Sequence, residues 1–358
     1  MFRLSAAALL LASLSSLSAA SAAAGAPAQS VQDVSVLESL GKTLDDYYVD
    51  RASASAYRLA VSEAGRTGQV SGLSGEDLAK ALTALLQKTH SDAHLAVYAP
   101  GNGIFGQEDA SGEAALPDNA YEASGWIAPG VAYLRPFAFF ARPGDVKRMQ
   151  AFVDQHASAT ALILDLRHHV GGEVSEIDVL VADLFDKPTD LAVMRTRTAG
   201  WDRFEPAEDT EQLSVRKRDP NYVEQVHRAV PREGGARMAR IPVYVLTSKR
   251  TASAGEHLAM ILKRTGRAVL IGETTYGAGN YGEEVGLSNG FKVFVPYGET
   301  VDPATGKGWE GTGVTPNVAV EAKQALNVAL QRLGVAALAE SYPKIGEAGG
   351  AGALAPSR

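Results

Sequence analysis

The sequence predicts an α/β protein led by a small bundle of helices. Before residue 90 the apolar residues recur at helical spacing: Val34, Leu37, Leu40, Leu44, then Tyr47 and Tyr48. Beyond residue 125 short buried strands alternate with helices, which is the grammar of a sheet covered by helices. Between the two lies a Gly/Asp/Glu-rich stretch, residues 101–125, that reads as a linker.

In the leading segment, 31–100, a second short helix is predicted over 52–64. A third opens at Ser74, where Ser74 and Asp77 can cap the first free N–H groups. Its apolar face is Leu78, Leu82, Leu85 and Leu86. In the core domain, 126–335, strands are predicted at 131–134, 161–166, 191–197, 241–246, 268–271 and 291–295. Helices are predicted at 145–156, 174–185, 254–264 and 322–333. The charged stretch 201–240 reads as an irregular surface excursion, and the tail 336–358, Gly/Ala-rich from Gly346, as disordered.

Composition narrows the function. Of 358 residues, 46% are hydrophobic and 21% charged, as in ordinary globular proteins. A net charge of −7, with no long segment dominated by Lys and Arg, lacks the basic footprint of a nucleic-acid binder. The absence of cysteine excludes disulfides, thiolate catalysis, Cys-ligated metals and lipid anchoring through cysteine. Phe2-Arg3, an apolar run from Leu4 to Leu17 and small residues from Ser18 to Ala26 form a signal-peptide pattern over 1–24, with cleavage after Ala22 or Ala24. The expected protein is therefore periplasmic or secreted, with no stable membrane insertion once the leader is removed.

Two segments could carry chemistry. In VYVLTSKRTASAGE, Val243 to Glu256, a buried strand enters a loop of small polar residues and a helix starts after Ser253. A serine there sits over the positive end of the helix dipole, and the Ala254 N–H points towards an anion formed on a substrate carbonyl. The plainer alternative is that Ser253 or Thr251 is an N-cap. In ALILDLRHHVGG, Ala161 to Gly172, a strand ends in Asp-Leu-Arg and a double glycine whose amides can approach a ligand; an ordinary tight turn is the plainer alternative.

Taken in order, D-L-R-x-x-x-G-G, T-A-S-A-G-E, IGETTYGAG and GWEGTGVTPNVAV resemble the tail-specific, or C-terminal processing, serine peptidase family over about 126–320. The resemblance implies a crotonase-like core, Ser253 as nucleophile, and an oxyanion hole from the Ala254 N–H and an amide of Gly171-Gly172. The processing branch takes its base from a lysine in the turn that here reads TYGAGN. That position is Ala278, and no lysine lies between Lys263 and Lys292. The tricorn branch uses a histidine from an upstream domain and a glutamate downstream of the serine. His94, in S-D-A-H-L, and Glu310, in G-W-E-G-T-G-V, match that pattern. The helical leader followed by D-x-H most resembles bacterial relatives of interphotoreceptor retinoid-binding protein modules. The branch's serine before the histidine is replaced by Ala93, so the relay is expected to run directly, through water, or through Ser91 or Thr275.

Of the other histidines, His156 and His227 are expected at the surface, and His168 and His169 in a solvated loop. His257, one turn after Ser253, is a rival base that is expected to pack instead. His90 and His94 form an H-x3-H pair, but no Glu follows His90, so neither a metal nor a cofactor is expected. The expected function is an exported serine peptidase acting on polypeptides through an acyl-enzyme on Ser253. The alternative is a carrier of a hydrophobic ligand that has lost catalysis. An acyl-CoA enzyme of the same core is disfavoured by the export signal, because acyl-CoA is cytoplasmic.

Overall fold

A computed structural model describes residues 31–104, 106–107, 116–206 and 209–345. The expected leader and the tail from Gly346 lie outside the described residues. The helices are α1 (Val31–Tyr47), α2 (Arg51–Thr67), α3 (Gly75–Thr89), α4 (Pro143–Gln155), α5 (Ser175–Leu184), α6 (Thr198–Phe204), α7 (Ala254–Arg264) and α8 (Ala322–Arg332). The strands are β1 (Ala96–Tyr98), β2 (Asn102–Gly103), β3 (Gly106–Gln107), β4 (Tyr121–Ala128), β5 (Val131–Pro136), β6 (Ala161–Asp165) and β7 (Thr189–Arg197). They continue with β8 (Leu213–Arg218), β9 (Tyr222–Ala229), β10 (Val243–Thr247), β11 (Val269–Gly272), β12 (Asn280–Gly286), β13 (Lys292–Val301) and β14 (Val318–Ala319).

The core is the predicted α/β arrangement, built on two sheets. One has the order β14-β11-β10-β6-β5-β4, parallel from β14 to β5 with β4 antiparallel at the edge. Its central strands are apolar on both faces because both faces are covered. Leu162 and Leu164 of β6 pack with Met149, Leu180 and Leu258 from α4, α5 and α7. Ala161 and Ile163, on the opposite face, pack with Ala325, Leu326 and Ala329 of α8. The other sheet is antiparallel, ordered β1-β13-β7-β9-β8, with β12 also on β13.

The leading helices do not form a free-standing bundle. Leu40, Leu44, Tyr57, Leu82 and Leu86 share one buried cluster with Val97 of β1 and Val293 and Val295 of β13. The helical segment is thereby fixed to the antiparallel sheet, and the chain leaving α3 must enter β1, where Ala96 pairs with Phe294. Helix α2 is capped by Asp50, whose carboxylate accepts the Ser53 N–H at 2.7 Å, and it ends at Gly68 with φ 70°. The predicted Ser74 cap of α3 does not form: the Ser74 side chain makes no capping bond, and Glu76 and Asp77 meet the positive helix end as charges.

Three further expectations change. The stretch 201–240 is not irregular, since β8 and β9 form a hairpin that extends the antiparallel sheet. Arg216, Lys217 and Arg218 stand exposed on edge strand β8, while β9 is largely buried; Asp219 closes the turn by accepting the Asn221 and Tyr222 N–H groups at 2.8 and 3.0 Å. The linker region ends in β4, which begins at Tyr121. Residues 336–345 of the expected tail pack on the core: Leu338 exchanges two hydrogen bonds with Asn327, and the Ile345 carbonyl accepts the Ser124 N–H.

The D-L-R motif explains that packing. Arg167 is fully buried, pairs with Asp165 at 2.5 Å, and donates to the carbonyls of Ala322 (2.8 Å) and Ser341 (2.7 Å). Its guanidinium lies 4.1 Å from the Tyr342 ring centre, and Tyr133 donates its hydroxyl to Asp165 at 2.6 Å. One side chain thus joins the end of β6, the start of α8 and the terminal segment. Replacing Arg167 by Ala strands a buried carboxylate and should cost about 3–5 kcal/mol in urea unfolding; a loss under about 1 kcal/mol would contradict this role.

Candidate active site

Adjacent parallel strands β6 and β10 release their loops at the same carboxyl edge, where open α/β sheets hold their sites. The two loops are stitched together. Thr251 donates its hydroxyl to the Leu166 carbonyl at 2.8 Å, Ser248 to the Arg167 carbonyl at 2.6 Å, and the Ala252 N–H to the His169 carbonyl at 3.0 Å. Ser253 follows with φ 51° and ψ −119°, a conformation that costs a side-chain-bearing residue about 1–3 kcal/mol. Its own N–H is held by Glu256, at 3.0 Å, and α7 begins at the next residue.

Gly171 lies against the serine. A Cβ at Gly171, whose φ is 124°, would stand 2.7 Å from Ser253 Cβ and 3.2 Å from its Oγ. The Gly171 N–H donates to His169 Nδ1 at 3.2 Å and is spent inside the loop. Phe139 bonds the groups flanking Gly172, donating to the Gly171 carbonyl at 2.9 Å and accepting the Glu173 N–H at 2.7 Å. The Gly172 N–H stays outside that pairing. Ala254, first residue of α7, carries one of the N–H groups that a helix cannot satisfy internally.

His94 sits two residues before β1, its ring stacked on Phe294 at 5.5 Å between centres. The turn that presents it is held by Asp92, which is fully buried. Asp92 accepts the N–H groups of His94 (2.9 Å) and Leu95 (3.2 Å), the Tyr48 hydroxyl (2.8 Å) and the Asn280 amide (2.8 Å). Gln87 clasps the same turn by donating to the carbonyls of Asp92 and Leu95 at 2.6 and 2.8 Å. One ring nitrogen of His94 and one carboxylate oxygen each from Asp92 and Glu310 lie within 4.8 Å of one another. His94 Nδ1 is buried without a hydrogen-bond partner, and burial holds the imidazole below its usual pKa, against the opposing Asp92 charge.

Glu310 does not bond the His94 ring. Its carboxylate accepts the Ala93 N–H (2.9 Å) and those of Gly279 (2.7 Å) and Asn280 (2.8 Å). Burial, and then the nearby Asp92 charge, pushes its pKa up to about 7 despite those donors. Gly279 permits the approach, since a Cβ there would fall 2.7 Å from the Glu310 nitrogen. The preceding two amides, Gly277 and Ala278, donate to Glu256 at 2.7 and 2.8 Å, and Thr275 gives Glu256 its hydroxyl at 2.5 Å.

The structure thus brings His94 next to Glu310 and Ser253 next to Gly171, while no hydrogen bond joins Ser253 Oγ to His94. At the position of the bridging serine, the Ala93 N–H donates to Glu310, and neither group bonds the His94 ring. Neither expected substitute hydroxyl serves. Ser91 donates to Gln87 at 3.3 Å, and Thr275 is used by Glu256 and by the Val314 N–H, which it accepts at 2.6 Å.

Several histidines lie deeper than expected. His156, His169 and His227 are buried, the first under Trp126 and Phe152, the second against Phe139 with its pKa pushed down to about 3 by burial. His257 packs, as expected, and its Nε2 lies 2.8 Å from His227 Nδ1, whose other nitrogen meets Asp178 at 2.9 Å. His90 ends α3 in extended backbone, so H-x3-H spans no helical face.

Sequence reasoning missed Glu256 and assigned Asp92 no role. Glu256 was legible as the fourth residue of a Ser-x-x-Glu capping pattern. Asp92 carried only the weaker signal of an Asp two residues before a singled-out His. The strain at Ser253 is testable. Ser253→Gly should melt higher than Ser253→Ala, by about 1 kcal/mol in unfolding free energy, because only glycine adopts this backbone freely. Equal stabilities would mean the serine is unstrained.

The sequence profile of peptidase family S41 matches residues 130–320. The carboxyl-terminal-processing peptidase 1 of Arabidopsis thaliana chloroplasts is 29% identical over 180 residues, which is 50% of this chain and 31% of that relative's length. A candidate peptidase from Parabacteroides merdae shares the fold with a TM-score of 0.58 at 14% identity, over 85% of this chain and 97% of that one. The tricorn protease does so with a TM-score of 0.54 at 13% identity, over 84% of this chain and 36% of its own. With more than half its length matched by the family profile, and the crotonase-like α/β core in place, the chain belongs to peptidase family S41.

Proposed function

We propose that this chain is an exported serine peptidase that hydrolyses polypeptides through an acyl-enzyme on Ser253. The observation that carries the reading is the hydrogen-bonded assembly of the Ala93–His94 turn with Glu310, on the same turn that Glu256 ties to Ser253. His94 takes the Ser253 proton as the hydroxyl attacks the peptide carbonyl. Glu310 offsets the charge of the imidazolium, and the Ala254 and Gly172 N–H groups receive the oxyanion. His94 returns the proton to the leaving amine, and water then cleaves the ester. Catalytic hydrogen bonds often form or tighten only once substrate is bound, and a Ser253–His94 hydrogen bond is expected to form at that stage.

Export is supported by the composition of the leader, and no described helix is long and apolar enough to cross a membrane. A cavity of about 600 Å³ is lined in part by the ion-paired Asp154, Asp183 and Arg232, so it is not the predominantly apolar pocket that a hydrophobic ligand requires.

Ser253→Ala or His94→Ala should lower cleavage of an unstructured polypeptide by about 10⁴-fold or more, as members of a triad act as a unit. Cleavage by Ser253→Ala at the wild-type rate would remove the assignment. The pH profile carries a second expectation. His94 is held neutral by burial, while Glu310 must be ionised to support the imidazolium, so activity should rise with pH through about 7. In Glu310→Gln that limb should vanish along with most of the rate. An acid limb centred near 4 in the wild type would show that Glu310 is not the group that titrates.

A further inference from the structure

Glu256 is a fully buried carboxylate, and among the described residues no cation pairs with it. Its partners are neutral donors: the Ser253 N–H, the Thr275 hydroxyl and the Gly277 and Ala278 N–H groups. Capping α7 needs only the first of these. The other three come from the segment between β11 and β12, and two of them belong to a run of four successive amides. Gly277 and Ala278 point at Glu256, whereas Gly279 and Asn280 point at Glu310.

We propose that Glu256 is a positioning residue for the Ser253 reaction: by gripping the first half of this turn it presents the second half to Glu310, and so couples the nucleophile to the carboxylate beside His94. The bonded path runs from the Ser253 N–H to Glu256, along Gly277 to Asn280, to Glu310, and through the Ala93 N–H to His94. Asn280 adds a second tie, because its side chain also donates to Asp92 at 2.8 Å. The proposal rests on the peptidase reading and adds a residue to it.

The coupling has a direction. Each N–H donated to Glu310 favours its ionised form, while burial and Asp92 oppose it. The titratable groups facing Glu310 are Asp92 and His94, with Tyr57 more distant. If Glu256 no longer orders the turn, the Gly279 and Asn280 amides loosen and Glu310 holds its proton to higher pH. A residue that only stabilised the fold would lower the amount of active protein without moving that limb.

The test follows the rate of Ser253 labelling by a fluorophosphonate across pH, in the full chain, with melting temperature recorded for each variant. Glu256→Gln should label about 100-fold more slowly than wild type at its optimum, the cost of a misplacement near 1 Å. Its acid limb should move up by roughly one pH unit. Thr275→Val keeps the carboxylate but removes one donor to it. It should shift the limb the same way by less, and Thr275→Ser should restore it, so the question stays open to refutation if Glu256→Gln does not fold. Variants that label at the wild-type rate, or that lose rate with the limb unmoved, overturn the proposal while leaving the peptidase reading intact. A wild-type chain that does not label at Ser253 overturns both.

Discussion

Four consecutive backbone N–H groups, shared two and two between Glu256 and Glu310, are the constraint on which the site depends. Among the described residues neither carboxylate pairs with a basic side chain, so each relies on fixed N–H and O–H dipoles to remain buried. Such dipoles satisfy charge only when their geometry is held, which makes the turn rigid and makes its neighbours interdependent. The result is a joint between two bodies of structure. On one side is the strained serine at the head of α7; on the other is the turn that delivers His94 from the leading helices.

The fold serves that joint. The parallel sheet supplies a rigid carboxyl edge from which the Gly171-Gly172 and Ser253 loops emerge already bonded to each other. The antiparallel sheet does a different task. Strand β13 carries the hydrophobic surface on which the leading helices rest, and its Phe294 forms the floor under the His94 ring. Residues from three distant stretches of chain converge because β1 and β12 are both paired to β13. Asp92 and Asn280, bonded across those two neighbours, reinforce the same convergence.

Much of this was legible in the sequence wherever burial is periodic. Helix α7 was read with its observed bounds, and β6 was recognised from an unbroken apolar run because both of its faces are covered. The hairpin β8–β9 was missed because an edge strand carries charge on its open side, and the pattern of an exposed edge resembles that of a loop. The depth of His169 and His227 was missed for a related reason: a polar local sequence does not reveal which elements will cover it. The proposed roles of Ser253, His94 and Glu310 come from motif order and resemblance. What no linear pattern contains is the bond from the Ala93 N–H to Glu310, since every residue has a backbone amide and only geometry decides which one is used.

The proposed chemistry depends on the geometry between Ser253, His94 and two backbone amides, and a crystal structure of the Ser253 adduct with a fluorophosphonate would observe that geometry. The account predicts the phosphoryl oxygen at about 3 Å from the N–H groups of Ala254 and Gly172, with a His94 ring nitrogen turned towards the esterified Oγ. An adduct whose phosphoryl oxygen faces solvent, with the imidazole still remote from Oγ, would contradict it.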